Sequence, residues 1–84
     1  MKNKIYNSNN CIKVNNFQYE SKYQVKITSN GTCQHCKLYE YNKDKKDYLL
    51  KYESFNKSAF LQTLKNSKIK KYFSFNDLEF LNYE

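Results

Sequence analysis

Arginine, proline and tryptophan are missing from this chain, and glycine and histidine occur once each. Without arginine there is no guanidinium fork for bidentate recognition of phosphates or base edges, so any anion must be met by lysine. A single glycine excludes a glycine-rich phosphate cradle. One histidine, with no acidic cluster patterned around it, leaves no legible set of acid, base and nucleophile, and the chain reads as non-enzymatic and without a cofactor. Long apolar runs are also missing. The opening MKNKIYNSNN carries lysine directly after its methionine but lacks the apolar core of a secretory signal, and no stretch approaches transmembrane length. A cytoplasmic protein with no membrane partner is expected.

What is present has two sources. Lysine, asparagine and tyrosine are the commonest residues, and with phenylalanine and isoleucine they carry the signature of A/T-rich codons. The missing arginine therefore reports coding bias before it reports the needs of a site. The physical consequence stands regardless: fifteen basic residues, all lysine, against eight acids give a net charge of +7 on 84 residues. Such a field attracts nucleic acid, acidic protein surfaces and anionic membranes without choosing among them. Nine tyrosines and six phenylalanines supply most of the bulk. A tyrosine keeps its hydroxyl near water or a partner, so many of these rings belong at the core edge or the surface.

A chain this short forms one domain, residues 1–84, with a thin core. Its organising stretch runs from Phe17 to Tyr41. Phe17, Tyr19, Tyr23, Val25 and Ile27 alternate with polar residues, the pattern of a strand with one face buried. Asn30-Gly31 predicts a two-residue hairpin turn, which sets Val25 opposite Cys36 and Lys26 opposite His35. Before the hairpin, Ile5 and Tyr6 anchor an edge strand or a loose arm, and Cys11–Val14 is a short strand turning at Asn15-Asn16. After it, Asn42–Asp47 is a charged loop, and Tyr48, Leu50 and Tyr52 share one face of a further strand.

The period then changes. Asn56 caps a helix whose buried stripe is Phe60, Leu61 and Leu64, with Phe55 and Phe60 as a hydrophobic staple and Asn66 as a left-handed stop. Ser67–Phe73 is a basic connector or a short edge strand. Ser74 begins a second helix, Phe75 to about Tyr83, with Phe73 and Leu78 repeating the staple. The expected fold is α+β: a three- to four-stranded antiparallel sheet built on the long hairpin, with two short helices packed on one face.

Cys33-Gln34-His35-Cys36 has three readings: zinc with Cys11 and His35, a redox pair, or structural thiols. The motif resembles the active-site sequence of thioredoxin-like oxidoreductases, but the βαβ order of that family is lacking. In an unbroken strand Cys33 and Cys36 point to opposite sides and cannot share a metal. Free thiols are the reading that fits, with Cys36 in the core row.

Two surfaces are candidates for binding. One is the solvent face of the hairpin, with Lys22, Lys26, His35, Tyr39 and Tyr41, unless another element covers it. The other is Lys65 with Lys68, Lys70 and Lys71. Aromatics interleaved with lysines suit base stacking and phosphate contact, and they suit acidic protein surfaces equally. In size and composition (short, strongly charged, without a catalytic motif) the chain resembles the anti-CRISPR inhibitors of phages and other mobile elements. That resemblance implies a larger protein as partner, such as a CRISPR effector nuclease blocked at its nucleic-acid channel. Many such inhibitors mimic nucleic acid with acidic surfaces. This basic chain would instead grip an acidic patch or the effector's own RNA. The other reading is a basic nucleic-acid-binding module or small regulator.

Overall fold

A computed structural model describes residues 2–73. It is mostly antiparallel sheet. Among the described residues there are six strands: β1 (Lys2–Asn7), β2 (Cys11–Asn15), β3 (Gln18–Ser21), β4 (Tyr23–Asn30), β5 (Cys33–Asn42) and β6 (Asp47–Ser54). One α-helix follows, α1 (Lys57–Lys65), then a short 3-10 helix, Lys68–Tyr72. Four strands form the main sheet in the order β1-β4-β5-β6, and β2 and β3 form a separate two-stranded sheet. The expected second helix, with its Ser74 cap and Phe73–Leu78 staple, lies outside the described residues. No helix among the described residues is long and apolar enough to cross a membrane.

The hairpin β4–β5 forms as the alternation predicts, but its register differs. Asn30 pairs with Cys33, so the two turn residues are Gly31 and Thr32. Gly31 has φ +65 and stands first in the turn, where a type II′ hairpin places glycine. The shift moves each partner by two residues, which preserves the faces. Ile27 rather than Val25 now opposes Cys36, and Lys37 rather than His35 opposes Lys26. A Cβ at Gly31 would meet nothing within 4 Å. Gly31→Ala should therefore cost only the backbone term, about 1 kcal/mol, read as a lower urea midpoint with an unchanged slope.

The long strand expected from Phe17 to Ile27 breaks at Lys22. There the chain passes from the small sheet to the large one. The Lys22 N–H donates to Asn10 O (3.0 Å), and the Tyr41 N–H donates to Lys22 O (2.8 Å). The buried Ser8 ties the same junction, since its Oγ accepts from the Tyr23 N–H (2.9 Å) and donates to Asn10 O (3.2 Å). Because the strand changes sheets, Phe17 and Tyr19 leave the buried row and stand 96% and 63% exposed. The β2–β3 turn centres on Asn16 and Phe17, with Asn15 Oδ1 accepting from the Phe17 N–H at 2.9 Å. The N-terminal residues are an edge strand, not a loose arm.

The core lies between one sheet face and α1: Val25, Ile27 and Cys36 meet Phe60, Leu61, Leu64 and Phe73. Asn56 caps α1, its side chain accepting from the Ala59 N–H at 3.0 Å. The other helix signals resolve differently. Phe55 is 72% exposed and does not staple onto Phe60, because its ring stacks on His35 instead. Asn66 ends the helix in the right-handed region, φ −89 and ψ −1. The segment expected as a connector or edge strand is the 3-10 helix, which places Ile69 and Phe73 against the core.

Strand β6 departs from strict alternation. Leu38 pairs with Tyr52 but Tyr39 pairs with Leu50, so Lys51 is an extra, bulged residue. The bulge splits the expected Tyr48-Leu50-Tyr52 face. Tyr52 joins the core side and stacks on Phe60, with centroids 5.6 Å apart. Leu50 and Tyr48 turn to the opposite side, beside Tyr39 and Tyr41.

Candidate functional site

Among the described residues, α1 and the 3-10 helix both lie on one side of the four-stranded sheet, and the other side is uncovered except at its Tyr41–Tyr48 end, which the β2–β3 hairpin meets. The register arranges that open face in rows. Ile5, Lys26, Lys37 and Glu53 form the middle row. Asn7, Gln24, Tyr39 and Leu50 form the row on one side of it. Asn3, Thr28 and His35 form the row on the other.

Side-chain bonds fix the rim. Gln24 Nε2 donates to Asn7 Oδ1 (2.9 Å) and Thr28 Oγ1 donates to Asn3 Oδ1 (2.8 Å), so both pin the edge strand β1 to β4. At the far edge His35 Nε2 and Glu53 Oε2 are 3.0 Å apart, and the His35 ring stacks on Phe55 at 4.1 Å between centroids. At the end of the face Tyr41 and Tyr48 pack edge to face at 5.1 Å. Burial pushes the Tyr48 phenol up, helped by the nearby Glu20, Tyr41 and Cys11. It therefore remains a hydrogen-bond donor, to Ser21 O at 2.7 Å.

The centre of the face holds the unbalanced feature. Lys26 and Lys37 stand directly opposite each other on neighbouring strands, and neither ammonium has an ion-pair partner among the described residues. Like charges at paired positions repel and weaken the pairing. The carboxylate nearest in register, Glu53, is engaged with His35. Around the two lysines lie exposed apolar side chains: Ile5 (53%), Leu50 (47%) and Phe55. A partner with negative charge and some apolar surface would satisfy both halves of this pattern.

Of the residues singled out from the sequence, Lys26 and Tyr39 lie on the open face and Tyr41 at its end. Lys22 sits at the junction of the two sheets, its Nζ 5.7 Å from the centre of the Tyr23 ring. Lys68, Lys70 and Lys71 are exposed on the 3-10 helix, on the helix side of the sheet, so they form a surface of their own. Lys71 Nζ lies 5.1 Å from the centre of the Tyr72 ring. Lys37, Ile5, Leu50 and Phe55 were missed. Lys37 shares the parity of His35, Tyr39 and Tyr41 and was legible on that ground, whereas Leu50 reaches the face only through the bulge.

The cysteines do not converge. Cys33 lies beyond the open-face side of β5 and is exposed, Cys36 is buried on the core side, and Cys11 is exposed on the small sheet. Among the described residues no group of three or more histidine, cysteine or acidic side chains is placed to hold a metal ion. Burial pushes the Cys36 thiol up, against the opposing pull of Lys57, and so keeps it in the protonated, unreactive form. Lys57 is pushed down by burial, and its Nζ is enclosed without a hydrogen-bond partner among the described residues. Titration with a thiol reagent should accordingly modify Cys11 and Cys33 in the native protein and Cys36 only after denaturation. Fast modification of all three thiols would contradict this placement of Cys36.

No protein-family model matches this chain, and no curated protein or solved structure matches it either.

Proposed function

We propose that this is a non-catalytic binding protein whose open sheet face docks on an acidic surface of a larger protein. The observation that carries the reading is the Lys26–Lys37 couple, without an ion-pair partner among the described residues, at the centre of a face rimmed by exposed Ile5, Leu50 and Phe55. Docking an acidic patch relieves the lysine repulsion and removes the apolar rim from water. Aliphatic groups such as Ile5 and Leu50 gain most from a protein partner, since sugar and phosphate offer them little apolar surface.

An inhibitor of the anti-CRISPR type, acting in a host-cell cytoplasm, is the specific form of this proposal. It would hold an effector nuclease by an acidic patch rather than by imitating its nucleic acid. A second reading, a basic nucleic-acid-binding module, is favoured by Lys68, Lys70 and Lys71, which are exposed and without ion-pair partners among the described residues. It requires affinity that falls steeply with salt, by a slope of roughly 0.9 per phosphate neutralised on duplex DNA.

The two are separated by capturing partners on the tagged protein from a host-like lysate, one half treated with nuclease. A protein retained after nuclease treatment at near-physiological salt supports docking. Loss of all bound material with the nucleic acid overturns docking in favour of the second reading.

A further inference from the structure

Between the β2–β3 hairpin and the β5–β6 loop lies a cleft of about 460 Å³, within the range of small-molecule sites. We propose that it is a nucleotide site, taking a phosphate and an amino-bearing base, from a free mononucleotide or from the terminal nucleotide of a strand. This proposal is independent of the docking face.

The cleft is built unequally. Val14, Gln18 and Glu20 line the hairpin wall, Lys43 and Lys46 line the loop wall, and Tyr41 and Tyr48 line the end shared with the large sheet. Each carboxylate there accepts one hydrogen bond from an uncharged N–H group and keeps its charge. Asp47 Oδ1 accepts from the Tyr48 N–H (2.7 Å), and Glu20 Oε1 accepts from Gln18 Nε2 (2.7 Å). Neither Lys43 nor Lys46 has an ion-pair or hydrogen-bond partner through its ammonium among the described residues. Glu20 and Asp47 keep their negative charges, so the lining carries two charges of each sign, with both ammonium groups on the loop wall and Glu20 on the hairpin wall across from them.

The loop also holds that wall at a conformational cost. Lys46 has φ 53, the left-handed region that disfavours any residue with a Cβ. Asn42 Oδ1 braces the loop by accepting from the Lys45 N–H at 2.9 Å. Strained positions of this kind cluster at ligand sites. The Tyr48 ring is fixed by its bond to Ser21 and its edge-to-face contact with Tyr41, which gives a base a rigid aromatic wall. Glu20 keeps a second carboxylate oxygen, an acceptor for an exocyclic amino group across the cleft from the lysines.

The test is an NMR titration of the full chain with AMP, UMP, adenosine and inorganic phosphate. AMP should shift Tyr41, Tyr48, Lys43 and Lys46 with single-site saturation. Adenosine, phosphate and UMP should each bind more weakly, adenosine by about tenfold because it lacks the charge-assisted phosphate contacts. The variant Lys43→Gln/Lys46→Asn, in which asparagine tolerates the left-handed backbone, should lose about tenfold in AMP affinity with the remaining spectrum unchanged. A further arm compares one oligonucleotide with and without its 5′-phosphate. Tighter binding than AMP, dependent on that phosphate, assigns the site to strand ends, whereas binding no tighter than AMP assigns it to free nucleotides. Shifts confined to Lys26 and Lys37 or to Lys68–Lys71, or an affinity unchanged in the double variant, would overturn the proposal.

Discussion

Truncating Phe60 to alanine is expected to remove about 3–5 kcal/mol of folding free energy, the usual cost of deleting a fully buried phenyl ring. A chain of this length has only about 4–12 kcal/mol in total. The single change therefore takes a large share of the stability and leaves a visible unfolded population. The reason lies in how few residues form the core. Among the described residues seven buried apolar side chains hold α1 to the sheet, and Phe60, at 1% exposure, both touches that cluster and stacks on Tyr52. The matched control is Phe17→Ala, which removes the same ring from a hairpin tip where it is 96% exposed. Urea denaturation of both variants should show a large loss for Phe60 and a change within about 0.5 kcal/mol for Phe17. Equal losses would mean that the hairpin tip is packed in a way the structure does not contain.

The second large effect concerns binding. Tyr39→Ala combined with Leu50→Asp should weaken capture of the protein partner by about thirtyfold or more, the scale at which truncating a central interface residue is felt. Tyr39 is the aromatic of the open face in the row beside the Lys26–Lys37 couple, and Leu50 is its cross-strand neighbour. An aspartate at position 50 also repels the acidic partner that the lysines attract. Leu50 is half exposed in the free protein, so the change leaves the core on the other side intact. A binding assay with the partner recovered from lysate reads the effect directly, and circular dichroism of the variant verifies that the sheet has formed.

Local features of this fold were legible and non-local ones were not. The alternation of Tyr23, Val25 and Ile27 sufficed for β4, and the Asn56 cap with Phe60, Leu61 and Leu64 sufficed for α1, because both depend on neighbours a few residues away. The hairpin register came out two residues off because Gly31 occupies the first turn position rather than the second. That small difference concealed the candidate site, since it set Lys26 opposite His35 and hid the Lys26–Lys37 couple. Phe17 and Tyr19 fit the alternation of a buried strand, and no local pattern records that the chain changes sheets at Lys22. The bulge at Lys51 likewise leaves no mark in the sequence, yet it moves Leu50 to the open face. Phe55 had two available partners, Phe60 and His35, and the contact formed with His35 is visible only once β5 and β6 are paired.

The central claim, that this protein acts through the open sheet face, is tested most directly by one paired capture experiment. The Tyr39→Ala/Leu50→Asp variant and a Lys68→Gln/Lys70→Gln/Lys71→Gln variant are each used to recover the nuclease-resistant partner under the same salt. Loss of the partner by the sheet-face variant, with recovery by the lysine variant within about threefold of the unmodified protein, is the predicted result. Retention by the sheet-face variant and loss by the lysine variant would place the function on the 3-10 helix and contradict the account.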